Sequence, residues 1–178
     1  MSSKGVIQIG EISTTLTWLM TPVGLLIDEV TMTGGPLNIK YKDLETSEGD
    51  LQFEAIIKSK SIEVFLEELQ PGGLKDFKVE IKEDGVHLTA VKTVLVPIQA
   101  TAHAILKLDG EESISVELLS AEAFGAGLKN MVANQLEQLN PVVETDMFPI
   151  PVQFEELFHE EGQVRVTGKA QLSATNAE

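Results

Sequence analysis

The sequence predicts an α+β domain, a long, curled, mostly antiparallel β-sheet packed on two or three helices. Three observations predict it. SKSIEVFLEEL puts Ile62, Phe65, Leu66 and Leu69 at i, i+3, i+4 and i+7, a single apolar stripe on a helix. LKDFKVEIK then alternates Phe77, Val79 and Ile81 with Lys78, Glu80 and Lys82, the period of a strand with one buried face. After a Glu83-Asp84-Gly85 turn, VHLTAV and IQATAHAILKL continue the alternation down to Asp109-Gly110. A helix burying one stripe and a sheet burying one face make a common core.

A chain of 178 residues is long enough to fold as one domain, residues 1–178, with an N-terminal segment (1–22) of ambiguous structure and a frayed tail at 174–178. Its mean hydropathy is +0.07, and with 5% aromatic residues the core must be built mostly of Leu, Ile, Val and Ala. A formal charge of −15 argues against nucleic acid as a partner, because phosphate binding needs clustered Lys and Arg. It argues equally against a polybasic membrane face. The absence of cysteine removes disulfides, thiolate metal sites and cysteine nucleophiles. MSSKGVIQIGEIS has no charged-then-apolar leader and no apolar run reaches about 18 residues, so the expected location is cytoplasmic. The oligomeric state is left open.

In chain order, Ile9, Ile12, Leu16 and Leu19 have helical spacing while Thr14, Thr15 and Thr17 favour a strand; the expectation is a helix ending before Pro22. Val23 to Ile57 reads as three strands divided by Gly34-Gly35-Pro36 and Ser47-Glu48-Gly49-Asp50. The helix at residues 58–69 follows, with Ser59 or Ser61 as its cap and Pro71-Gly72-Gly73 as its stop. ESISVELLSAEAF is another strand, and GAGLKNMVANQLEQLN a second helix over 126–139 closed by Asn140-Pro141. Pro149 and Pro151 make MFPIPVQFEEL an edge strand, and QVRVTGKAQL ends the sheet.

No catalytic constellation stands out, so an enzyme is not expected. Twenty-eight carboxylates make chance acidic pairs unavoidable, and none is marked as an isolated acid in a cleft. Gly125-Ala126-Gly127 lacks the third glycine of a dinucleotide fingerprint and the Gly-Lys-Ser/Thr of a P-loop. His87 and His103 lie on neighbouring strands. If those strands pair about Pro97, the histidines fall four residues apart, on the order of 13 Å, too far to share an ion. His159 has no histidine at i±4. No metal and no cofactor are therefore expected.

The apolar pattern is more telling. The inward face of IQATAHAILKL reads Ile98, Ala100, Ala102, Ala104, Leu106 and Leu108. Three successive alanines leave room that either a closely packed helix or an acyl chain must fill. On the second reading the lining is Phe65, Leu69, Leu88, Ala100, Ala102, Ala104, Leu128, Met131, Val132, Leu136 and Phe148. Lys40, Lys42, Lys58 and Lys60 are the candidate head-group cations. The alternative is a structural or interaction domain with a full core, recognising a partner by strand addition.

GLKDFKVEIKEDGVHLTA, the joining V-P-I, SISVELLSAE, the LNP at Leu139 to Pro141, the F-P-I-P at Phe148 to Pro151 and the closing E-G-x-V-x-V-T-G at Glu161 to Gly168 carry a likeness. Together with LLIDEVTMTGGPLNIKYKDL upstream, they resemble the LmeA-like phospholipid-binding family, a bacterial group, over nearly the whole chain. The resemblance implies an α/β lipid-binding fold, no enzymatic activity and phospholipid as the ligand class; the expected partners are a phospholipid or fatty-acyl ligand and, transiently, a membrane.

Overall fold

The computed structural model describes residues 6–35, 37–40, 50–93, 97–122, 130, 133–134, 137–148 and 150–171. Twelve strands and one eleven-residue helix are assigned in them: β1 (Val6–Ile9), β2 (Ile12–Met20), β3 (Leu26–Gly34), β4 (Leu37–Lys40), β5 (Asp50–Lys58), α1 (Ser59–Leu69), β6 (Lys75–Lys82), β7 (Gly85–Thr93), β8 (Pro97–Asp109), β9 (Ser113–Glu122), β10 (Val143–Glu144), β11 (Val152–Glu160) and β12 (Gln163–Gln171). They form two five-stranded antiparallel sheets, β10-β9-β8-β7-β6 and β11-β12-β5-β3-β2, and a two-stranded ladder of β1 and β4.

This overturns the expected single sheet on two or three helices. The chain is mostly antiparallel β, and the inner faces of both sheets supply one apolar cluster, including Val30, Phe53 and Ile57 from one and Ile81, Ala100 and Ile114 from the other. One feature of the sequence explains the strand missed near the N-terminus. The stretch expected to be helical before Pro22 forms β1 and β2. Ile12 and Leu16 lie on one face of β2; Trp18, at φ 60°, is left out of the pairing with β3, so that Leu19 swings onto that same face. One left-handed residue, with no shift in the ladder register, thus breaks the period of two into spacings of four and three that mimic a helix. The threonines were the better signal: Thr15 pairs with Thr31 across the ladder, their hydroxyls 3.2 Å apart. In the second expected helix, the described residues Asn130, Ala133, Asn134 and Glu137–Leu139 are helical.

Helix α1 forms where its stripe predicts, burying Ile62, Phe65 and Leu66 with Leu69 partly covered. Neither serine caps it as expected. Asp28 on β3 instead accepts from the Lys58 N–H and the Ser61 hydroxyl, each at 2.8 Å, while the Ser59 hydroxyl donates to the Gly162 carbonyl. Asp28 lies 30 and 33 residues away in sequence, and the first helical N–H, that of Ser59, also donates to the Gly162 carbonyl at 3.0 Å, so the helix start is anchored by tertiary contact. Gln70 ends the helix in the left-handed region and donates to the Leu66 carbonyl at 2.8 Å, ahead of the Pro71–Gly73 turn.

The Pro-flanked β11 is an edge strand, as expected, and it ties the two sheets together. Its Phe154 N–H donates to the Glu111 carbonyl in the β8–β9 turn at 2.8 Å, and the Gly162 N–H beyond its end donates to Ile81 on β6 at 3.0 Å. Asn140 does similar work at β9, where its side-chain amide donates to the Val116 carbonyl and accepts the Val116 N–H, both at 2.9 Å.

Candidate functional site

The inward face of β8 is as the alternation predicts. Ala100, Ala104 and Leu106 are buried, Ile98, Ala102 and Leu108 partly so, and Gln99, Thr101 and Lys107 face out. Its neighbours add small side chains the sequence reading did not include. Ala90 on β7 stands opposite Ala100, and Ala121 on β9 opposite Ala102, whose other neighbour is Leu88. Leu88, Ala102 and Ala121 remain partly exposed although they share this face.

The other expected lining residues are distributed as follows. Phe65 and Leu69 lie on α1, with Phe65 buried. Phe148 is buried in an aromatic trio, its ring 5.2 Å from Phe53 and 6.0 Å from Phe154. Leu128, Met131, Val132 and Leu136 lie outside the described residues. Of the candidate head-group lysines, Lys60 pairs with Glu63, and Lys58 is placed by its backbone bond to Asp28. Lys42 lies outside the described residues.

The histidines are arranged differently from the expectation. The last pair before the β7–β8 connection is Thr93 with Pro97, so the turn is centred two residues earlier than a pivot at Pro97 and the register moves by four. His87 and His103 are therefore directly opposite one another, their rings stacked with centroids 4.4 Å apart and planes 8° from parallel. His87 Nε2 is 2.8 Å from Asp84 Oδ1, and His103 Nε2 donates to the Asp84 carbonyl at 2.9 Å. The hydrogen bond from His87 holds the Asp84 carboxyl below the ordinary range.

Asp84 also lies on a surface groove of about 630 Å³ formed by Lys82–Asp84 of the β6–β7 turn and Phe158–Glu161 of the β11–β12 turn. Glu160 accepts from Arg165 Nε at 2.7 Å and Gln163 Nε2 at 2.9 Å; the Gln163 bond and then the Arg165 bond lower its carboxyl pKa. The Arg165 guanidinium lies over the Phe158 ring at 4.6 Å.

His159, on the same wall, has a structural task. β8 overhangs the start of β7, whose pairing stops at Val86 with Ala104, and the Leu106 N–H beyond that point donates to His159 Nε2 at 3.1 Å. Burial pushes this imidazole below its ordinary 6.5, an effect reinforced by His103 and opposed by Asp84. The unfolded chain thus binds a proton that the native chain refuses. Stability is complete above pH 6.5 and falls as the pH drops from there towards the lower folded-state pKa. We expect the drop in urea midpoint between pH 7.5 and 5.5 to shrink in His159→Gln; an identical drop in both proteins would contradict this assignment.

These observations define an antiparallel β protein with small apolar side chains along one inner face and a polar groove at its rim. The sequence matches that of the LmeA-like phospholipid-binding family over residues 7–169, and the chain belongs to that family. No curated protein and no solved structure matches it. Among the described residues, no helix is long and apolar enough to cross a membrane.

Proposed function

We propose that this chain binds a phospholipid without catalysis, holding an acyl chain against the inward face of β8. The supporting observation, beside the family, is the run of small side chains there. Ala90, Ala100, Ala102 and Ala121 neighbour one another across three strands, and Leu88, Ala102 and Ala121 keep part of their apolar surface uncovered. On this reading Phe65, Leu69, Ala104 and Phe148 extend the apolar surround. Burial of hydrocarbon drives the binding, at about 0.8 kcal/mol for each methylene taken from water. The head group stays at the rim.

Loading from a bilayer requires contact with it, and Trp18 is suited to that. It lies at the irregular, unpaired position of the edge strand β2, is 76% exposed, and has Met20 nearby at 60%. An indole at an exposed edge partitions readily to the lipid–water interface.

Both parts are tested in one titration with phosphatidylcholine vesicles carrying a fluorescent phospholipid. Ala102→Phe, which fills the gap from a partly exposed position, is expected to lower uptake by roughly tenfold with the fold retained. Emission from Trp18, the single tryptophan, is expected to shift to the blue on vesicles. Equal uptake by wild type and Ala102→Phe would overturn the site, and an unchanged emission would overturn the contact.

A further inference from the structure

We propose that Asp84, His87 and His103 bind one divalent transition-metal ion of the imidazole-seeking class, zinc or copper(II) rather than calcium or magnesium. The site stands apart from the lipid-binding reading, on the outward face of the β7–β8 ladder. One ring nitrogen from each histidine and one Asp84 carboxylate oxygen all lie within 4.8 Å of one another. Tetrahedral ligands on zinc are separated by about 3.3 Å, given metal–ligand bonds of about 2.0–2.2 Å. Small side-chain rotations on a fixed strand pair close that difference.

The backbone holds the ligands in place. His87 and His103 are register partners, so their Cα positions are fixed by the ladder itself. Asp84 occupies the two-residue turn between Lys82 and Gly85, three residues before His87. Gly85 supplies an independent sign that this space is kept open. A Cβ there would sit 3.0 Å from His103 Nε2 and 2.6 Å from the Ala104 carbonyl oxygen, and its φ of +132° is one that side chains rarely adopt. Bare backbone at that position is what admits the His103 ring beside Asp84.

Two imidazoles and one carboxylate form a nitrogen-rich set that favours zinc and copper(II), whereas calcium and magnesium prefer all-oxygen shells. In the metal-free arrangement both Nε2 protons point to Asp84, one to its carboxylate and one to its carbonyl. An ion takes the place of those two protons at Nε2, and in each neutral ring the displaced proton moves to Nδ1, so the ligands stay neutral. Asp84 borders the groove between the β6–β7 and β11–β12 turns, which leaves a coordination position accessible to water or an anionic group. The charge of −15 raises the local concentration of any cation around the chain.

The full chain, stripped with chelator, is titrated with zinc by calorimetry and with copper(II) by electron paramagnetic resonance. The expected result is one tight equivalent, a copper spectrum with superhyperfine splitting from two nitrogens, and affinity at least about tenfold weaker in His87→Gln and in His103→Gln. His159→Gln is expected to bind as the wild type does, because that Nε2 already accepts the Leu106 N–H. The wild-type copper spectrum needs no variant and so does not depend on their folding. A spectrum with oxygen ligands only, or with one nitrogen, overturns the site. So does zinc uptake that neither histidine substitution weakens, which is the behaviour of carboxylate adsorption.

Discussion

Replacing Phe53 by alanine should lower the unfolding free energy by about 3–5 kcal/mol, the usual result of deleting a fully buried aromatic ring. Phe53 is 2% exposed on β5 and meets two rings at once: Phe148 edge-on at 5.2 Å and Phe154 at 6.0 Å. Those neighbours come from separate places. Phe154 belongs to β11, the strand that joins the two sheets, and Phe148 follows the short Thr145–Met147 turn. Each is fixed by its own backbone bonds, so the surroundings cannot collapse into the space Phe53 leaves. For a chain of this length the loss should appear as a fall in melting temperature of about 10 °C or more. A loss under about 1 kcal/mol would mean that the trio is not packed as described.

Gly168→Ala should cost nearly as much, about 3 kcal/mol, despite adding only one methyl group. Gly168 is buried on β12, opposite Phe154, where a bulge interrupts the β11–β12 register. A methyl there would land on the Gln153 carbonyl oxygen and lie 3.1 Å from the Phe154 Cα. The obstacle is backbone, which cannot turn aside as the end of a side chain can. Moving it would disturb the Phe154 N–H bond to Glu111 that holds β11 against the other sheet. Gly162→Ala reports the opposite case, strain at φ +80° with no atom within 4 Å of the added Cβ, whereas Gly168 is not at positive φ and its cost comes from the close approach of β11 alone. A loss under about 1 kcal/mol in Gly168→Ala would contradict that close approach.

The parts of this fold that could be read in the sequence are those set by local pattern. The stripe of Ile62, Phe65 and Leu66 gave α1, and the alternations about Phe77, Val79 and Ile81 and about Ala100, Ala104 and Leu106 gave β6 and β8 with the correct faces inward. Pattern failed at Trp18, where one residue in the left-handed region made strand β2 look helical. It failed for the histidines for a different reason. Facing is fixed by parity and survives a register shift of four, but distance along the ladder does not, so a turn misplaced by two residues turned a cross-strand pair into an estimated separation of about 13 Å. Asp28 at the start of α1 and His159 at Leu106 were beyond local reading, because each answers a donor 30 or more residues away.

The proposed lipid site divides along the same line. Ala100, Ala102 and Ala104 were visible as consecutive small residues on one face, whereas Ala90 and Ala121 join them only through cross-strand register. That register makes the patch of small residues two-dimensional.

Native mass spectrometry of the chain, re-purified after incubation with mixed zwitterionic and anionic phospholipid vesicles, tests the lipid-binding account most directly. The account predicts a species heavier by the mass of one phospholipid, diminished in Ala102→Phe. A ligand-free mass alone, for wild type and variant across all lipid compositions, would contradict it.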